Sequence, residues 1–161
     1  MTADDLSALR AELRVDEEER LFVYDDATGL PIRAGSVVKG NPTIGVGREL
    51  SKHGLSLEES AYLLNNDILE VSRALEQLYP WFVTLDPVRQ RALITLAFNE
   101  GAHGLQKSPK MLAAIVVGDW STAAAELMDG LWHVQVGPRR AGRVRVMLLT
   151  GADPAKGARA T

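Results

Sequence analysis

The sequence predicts a mixed α+β chain, mainly helical, with a short antiparallel sheet in its N-terminal third. Three observations carry this. Turn-forming Pro31, Gly35, Gly40, Asn41, Pro42, Gly45 and Gly47 punctuate a stretch otherwise containing Ile, Val and Thr. Two capping-box patterns, Thr2-x-x-Asp5 and Ser56-x-x-Glu59, precede helical stretches. From residue 57 onward apolar residues recur at helical spacing, and Asp-Pro, Ser-Pro and Gly-Pro pairs mark helix starts.

The first helix runs from the Thr2 cap to about Glu18, with Leu6, Leu9 and Leu13 on one side. Leu21-Phe22-Val23-Tyr24 reads as a strand, and Asp25-Asp26-Ala27-Thr28-Gly29 after it as a turn. Residues 30–47 form the rest of a sheet too small to be stable alone. The second capping box opens a long helix. Its stripe is Leu57, Ala61, Leu64, Ile68, Val71, Leu75 and Leu78, and Pro80 stops it. Asp86-Pro87 starts a helix that is apolar nearly all round at Ala92–Phe98, so it should be central and buried. Gly101 and Gly104 end it. Ser108-Pro109 and Gly137-Pro138 open two more helices, and Asp119 caps another between them. The expected layout is one domain over 1–161. A small lobe of about 14–55 and a linking helix of about 57–79 precede a helical lobe of about 80–150, which takes in the N-terminal helix. Residues 151–161 read as a frayed tail. A ligand cleft between lobes is the default expectation.

Composition narrows the function classes. The 161 residues are 46% hydrophobic and 24% charged, as in ordinary globular domains. No run approaches the roughly 20 apolar residues of a membrane span, and the charged N-terminus is no secretory signal, so no membrane insertion is expected. The chain has no Cys and three scattered His, which argues against thiolate or zinc sites and fits a reducing cytosol. No metal and no cofactor are therefore expected. Net charge is −3, which argues against a broad nucleic-acid surface. That charge is uneven. Residues 1–26 carry nine acids and three Arg, whereas 138–161 carry six bases and one Asp.

The acidic run Asp16-Glu17-Glu18-Glu19 sits at the C-terminal end of the first predicted helix, where the helix dipole disfavours negative charge. Something other than helix stability selects it. Ten residues after Asp16, Asp26 lies in a polar turn, and Thr43 opens Thr43-Ile44-Gly45-Val46-Gly47.

These residues carry a resemblance. Leu13-Arg14-x-Asp16-Glu17, then Leu21, Tyr24 and Asp26, then Pro42-Thr43-Ile44-Gly45-Val46-Gly47, resemble the active-site region of the phage-type lysozymes, the T-even family. Leu64-Asn65-Asn66-Asp67, Phe98-Asn99-x-Gly101, Ser108-x-x-Met111-Leu112, Gly118-Asp119-Trp120, Trp132 and Pro138-x-Arg140-Ala141 continue it in order, so that it spans about residues 9–150. Each piece alone is weak, but the ordered set is specific. It implies a lysozyme-like fold and a muramidase that hydrolyses the β-1,4 bond between N-acetylmuramic acid and N-acetylglucosamine with inversion.

The chemistry agrees. Glycoside hydrolysis needs one carboxyl to protonate the leaving oxygen and a second group to deal with water, in environments that keep one protonated and the other ionised. The resemblance assigns Glu17 as the acid, and Asp26 and Thr43 as holders of the attacking water. A carboxyl separation of roughly 6.5–9.5 Å would fit inversion. Shielding by the helical lobe should favour protonated Glu17, while Asp26, in an open turn, should keep an ordinary carboxylate pKa. Substrate-binding positions implied by the family are Tyr24, Phe98, Asn99, Ser108 and Arg140, with Arg140 pairing with Glu17.

Three departures stand out. The family's usual Gly after the acid is Glu18, and its His after Gly-x-Gly is Arg48, expected to pair with Asp67. The Asp26–Thr43 segment is longer than in the T-even type, and 30–42 should form an extended hairpin. The resemblance further implies bacterial peptidoglycan as partner, a monomer, and synthesis in the host bacterial cytoplasm. Release as a phage or prophage endolysin would use a separate holin, with action in the periplasm or on the wall. The competing classes are a wall-binding or phage tail module without turnover, a lytic transglycosylase, and, remotely, a nucleic-acid binder using the basic helix 138–148. Retention of Glu17, Asp26 and Thr43 favours the hydrolase.

Overall fold

The computed structural model describes residues 1–154. The chain divides into two compact units, Met1–Ala61 and Tyr62–Thr161.

The first unit begins with helix α1, Ala3–Asp16. Its start is the expected capping box. Thr2 Oγ1 accepts the Asp5 N–H at 3.2 Å, and an Asp5 carboxylate oxygen accepts the Thr2 N–H at 2.8 Å. No residue of α1 is buried. Strand β1, Arg20–Asp25, pairs antiparallel with β2, Pro42–Gly45, which pairs antiparallel with β3, Arg48–Glu49. The register sets Tyr24 opposite Thr43 and Asp25 opposite Pro42, with an irregularity between Arg20 and Tyr24. A one-turn helix α2, Leu50–His53, follows.

The hairpin expected over 30–42 is not formed. Pro31 makes a single bridge to Tyr24, and the Ile32 N–H reaches the Val23 carbonyl at 2.9 Å. Then the chain turns, with the Ser36 N–H on the Arg33 carbonyl and the Arg33 N–H on Ser36 Oγ, both at 2.9 Å. Pro31 and Pro42 cannot donate to a ladder, and Gly35, at φ +84°, reverses the chain between them.

Helix α3, Leu57–Leu78, starts at the second capping box, where Ser56 Oγ accepts the Glu59 N–H at 3.1 Å and Glu59 accepts the Ser56 N–H at 2.7 Å. Only part of its predicted stripe is covered: Leu75 is buried, Val71 and Leu78 pack against the second unit's core, and Leu57 and Leu64 are exposed. Arg48, expected to pair with Asp67, is engaged within the first unit. Its guanidinium meets Glu59 through two N–H groups, at 2.6 and 3.0 Å, and donates Nε–H to the Gly54 carbonyl at 3.0 Å. The capping box explains this choice, because it already fixes the Glu59 carboxylate next to the loop that leaves β3.

The second unit is helical. A 3-10 turn, Pro80–Thr84, leads to α4, Pro87–Glu100. Asp86 caps α4 by accepting the Val88 and Arg89 N–H groups, both at 3.0 Å. A second 3-10 segment, Ala102–Lys107, precedes α5, Pro109–Val116, α6, Trp120–Asp129, α7, Trp132–Val136, and α8, Pro138–Thr150. Asp119 caps α6 as expected, through the Thr122 N–H at 3.0 Å. Leu93, Leu96, Leu105, Met111, Val144 and Leu148 centre the core. The central α4 is buried on one face only, at Ala92, Leu93, Leu96 and Ala97. Of the expected tail, 151–154 are described and held. Gly151 caps α8 in a left-handed conformation, and Asp153 pairs with Arg91 at 3.0 Å. The remainder, 155–161, lies outside the described residues.

Candidate active site

The site residues of the first unit come from a helix end, a turn and a strand. Glu17 is the C-cap of α1, its N–H bonded to the Leu13 carbonyl at 2.9 Å. The next residue, Glu18, has φ +55° and is the sole non-glycine with positive φ among the described residues. Position C′ of a helix commonly adopts this left-handed conformation and usually carries Gly. The chain turns there, and the exposed Glu17 leads into β1. Glu18 does not act as a free neighbouring charge, because its carboxylate takes Nε–H and Nη2–H of Arg20 at 3.2 and 2.7 Å. The Arg20 guanidinium also lies over the Tyr24 ring, 4.5 Å from its centroid, and donates to the Gly29 carbonyl at 2.8 Å. Glu17 faces the β2–β3 turn: a Cβ placed on Gly47 would lie 3.4 Å from Glu17 Oε2.

Asp26 follows β1 on the surface. Its Oδ1 accepts the Asn41 backbone N–H at 2.6 Å, and its Oδ2 accepts the Asn41 side-chain N–H at 3.1 Å. These two donors, backbone first, hold its carboxyl below the usual carboxylate range, against slight burial and the neighbouring Asp25 charge. The ordinary pKa expected of a wet turn is thus corrected: the turn is wet, but the loop supplies a fitted pair of donors. Thr43 is buried, 3% exposed, and its hydroxyl donates to the Asn41 carbonyl at 3.2 Å. The same carbonyl accepts the Asp26 N–H at 3.1 Å. Asn41 therefore ties Asp26 to Thr43.

Sequence reasoning missed Asn41, and it missed Asp25. Asp25 is 4% exposed and accepts three backbone N–H groups, from Lys39 at 2.8 Å and from Gly40 and Ala27 at 3.0 Å. The Lys39 bond is the chief cause of its lowered pKa. It acts against burial, with the Gly40 and Ala27 bonds behind it. This buried carboxylate draws residues 39–40 onto the turn and so delivers Asn41 to Asp26. Gly40 permits the approach, since a Cβ there would overlap the Asp26 carboxylate and come within 2.8 Å of the Ala27 nitrogen. The Asp25-Asp26 pair in a turn was the available signal. The partners lie 14 and 15 residues away, beyond any local pattern.

In the second unit, Arg140 and Asn99 are brought together, Nη2–H donating to Oδ1 at 2.8 Å. A longer bond at 3.5 Å reaches the Thr95 carbonyl. Ser108 lines a cavity of about 240 Å³ whose polar wall includes Glu100, Lys107 and Gln135. Phe98 is not core. It is 41% exposed and lines a different hollow, with Asp67 and Glu70.

Comparison with known proteins decides the family. The phage lysozyme family model matches residues 25–145, a range that contains Asp26, Thr43, Asn99 and Arg140. The chain belongs to the phage lysozyme family. Among curated phage lysozyme relatives, it is 33% identical over 156 residues to the pre-baseplate central spike protein Gp5 of Enterobacteria phage T4. That match covers 86% of this chain but 27% of the spike protein, so this chain spans about a quarter of that relative. Two probable T4-type lysozymes of Dictyostelium discoideum are 28% and 26% identical, each match covering 91% of this chain and 96% of the relative. These likenesses support a lysozyme-like glycoside hydrolase.

Proposed function

We propose that this phage lysozyme is a muramidase that cuts the β-1,4 bond between N-acetylmuramic acid and N-acetylglucosamine in bacterial peptidoglycan, with inversion. The observation that carries the reading is the linkage of Asp26 and Thr43 through Asn41, in the unit where Glu17 ends α1. Glu17 gives its proton to the leaving glycosidic oxygen. Asp26, ionised and exposed, accepts one proton of a water. The Thr43 hydroxyl has committed its own proton to Asn41, so it meets that water as an acceptor. A water donating to both turns its lone pair toward the anomeric carbon, and Asp26 takes up the proton that is released. Asn99, Arg140, Ser108, Phe98 and Tyr24 are proposed to bind the glycan.

Glu17→Gln, nearly isosteric but unable to donate the proton, should lower clearing of chloroform-treated Gram-negative cells by about 10²–10⁴-fold, the usual worth of a general acid. It should melt as the parent does. Near-parental clearing by Glu17→Gln would sink the assignment. Product analysis separates the chemistries, because a hydrolase leaves a reducing sugar end and a lytic transglycosylase a 1,6-anhydro end.

The biological setting we propose is that of a monomeric endolysin, made in the host cytoplasm and released through a separate holin to reach the wall. The likeness to part of the T4 spike protein favours a second setting, a lysozyme module of a phage tail. Probing purified virions for the chain separates them: a tail module is built into the particle, and an endolysin is left in the lysate.

A further inference from the structure

We propose that Asn41 is a positioning residue for the reaction, fixing the orientation and the ionised state of Asp26 through its two N–H donors. The inference rests on the proposed role of Asp26 as the water-activating carboxylate. Asn41 lies outside the sequence patterns that single out Glu17, Asp26 and Thr43.

The geometry is a two-point grip. The backbone N–H of Asn41 meets Oδ1 at 2.6 Å, and its side-chain N–H meets Oδ2 at 3.1 Å. A carboxylate held at one oxygen can still rotate about its terminal torsion, which is soft. Held at both oxygens by one residue, it cannot rotate without breaking a bond. Each oxygen of an ionised carboxylate has two acceptor directions. Asn41 fills one on each and leaves the other for water. Both bonds favour the ionised form, because a protonated oxygen would lose an acceptor site facing a donor.

Against these bonds stand slight burial and the Asp25 charge, while the Ala27 N–H adds only a lesser push the same way as Asn41. Asp25 is adjacent and opposes ionisation of Asp26. Arg20 is engaged by Glu18 and Tyr24, and the Lys39 backbone N–H goes to Asp25. Among the described residues Asn41 is thus the chief counterweight to Asp25. The Asn41 carbonyl holds the Thr43 hydroxyl as well, so one residue sets both groups that would address the water.

Two variants separate the contributions. Asn41→Ala keeps the backbone donor and removes the side-chain donor. Asn41→Asp also removes it and sets a second carboxylate beside Asp26. On soluble peptidoglycan strands, kcat of Asn41→Ala should fall about tenfold with KM within twofold, because the grip acts on the water rather than on sugar binding. The acidic limb of the kcat–pH profile should move to higher pH, further in Asn41→Asp than in Asn41→Ala. Carboxyl ¹³C NMR, with the Asp26 signal assigned from Asp26→Asn, should show Asp26 titrating at higher pH in both variants, in the same order. This readout needs no turnover. If Asp26→Asn is inactive while both Asn41 variants keep parental kcat, pH profile and Asp26 titration, the proposal is overturned and the role of Asp26 stands. Full activity in Asp26→Asn would overturn that role and the proposal together. A parental pH profile with kcat lost only as far as melting temperature is lost would also overturn it, by reducing Asn41 to a fold residue.

Discussion

Glu17 and Gly47 are neighbours: a methyl group on Gly47 would stand 3.4 Å from the Glu17 carboxylate. Gly47 also has φ +68°, a conformation that costs an L-residue roughly 1–2 kcal/mol. Gly47→Ala should therefore act twice, lowering stability by about 1–2 kcal/mol and crowding the proposed acid. Urea melts and clearing rates measured together check it. A variant that is less stable but fully active per folded molecule would show that Glu17 tolerates the crowding.

Glu18 holds the one left-handed non-glycine conformation among the described residues, at the position where helices usually carry Gly. Glu18→Gly removes the Cβ penalty and gives up an exposed pair with Arg20, a pair of the kind worth little. Against this, Gly gains freedom in the unfolded chain. The balance should be a stabilisation of about 0.5–1 kcal/mol, whereas β-branched Glu18→Val should destabilise. Thermal melts of the two variants test the sign, and equal melting would mean that the backbone relaxes there.

Much of this fold was legible because its signals are local. Both capping boxes, the Asp86 and Asp119 caps and the X-Pro helix starts all have partners within three residues, so a sequence pattern can encode them. The 30–42 segment carries Ile32, Val37 and Val38, which have strand propensity, but beyond the contact of Pro31 and Ile32 with β1 it finds no strand to pair with. The resemblance points Arg48 to Asp67, whereas the structure shows it on Glu59, whose carboxylate is fixed nearby by its own cap. Glu17, Asp26 and Thr43 were found by resemblance. Asp25 and Asn41, which shape the turn, act across 14–15 residues of irregular chain and left no periodic trace.

Asp25 should impose an acid limit on stability. Its native pKa is lowered, so the unfolded chain binds its proton more readily than the folded one. Its contribution is complete above the unfolded value of about 3.9 and disappears as pH falls through the lower native value. Asp25→Asn removes this dependence and sets an amide against the three N–H donors. Urea midpoints measured from pH 2 to 6 should fall below about pH 4 in the parent and change less in the variant. Parallel curves would exclude Asp25 as a source of the acid limit.

Arg48 should matter through Glu59. Arg48→Ala and Glu59→Gln are each expected to lower the melting temperature, and the double variant should lose less than the sum of the two, as paired residues do. Asp67→Ala should combine additively with Arg48→Ala. Coupling of Arg48 to Asp67 and not to Glu59 would reverse the assignment.

Arg89 joins three helices of the second unit. It donates to Asp86 at 2.7 Å and to the carbonyls of Leu148 and Leu149 at the end of α8, and lies 3.9 Å from the Trp120 ring centroid. With 15% of its side chain exposed, its loss takes the guanidinium donors from the Leu148 and Leu149 carbonyls and from Asp86 Oδ2, while Asp86 Oδ1 keeps its two backbone donors. Arg89→Ala should cost about 2–3 kcal/mol, or roughly 5–10 °C in melting temperature. Arg89→Lys should recover only part, since an ammonium cannot reproduce the planar fork. A melt unchanged in Arg89→Ala would refute the hub.

The Asp25 latch has a consequence for how this chain can vary. Between Ile32 and Lys39 the chain leaves β1 and comes back, and the bonds from Lys39 and Gly40 to Asp25 close the neck of that excursion. Whatever lies beyond the neck is decoupled from Asp26 and Asn41. Residues 34–37, exposed around the Gly35 reversal, can then grow, shrink or carry a grafted peptide at little entropic cost, since closure entropy rises only slowly with loop length. The segment is a natural port for tailoring what the chain encounters without retuning the proposed site a few residues away.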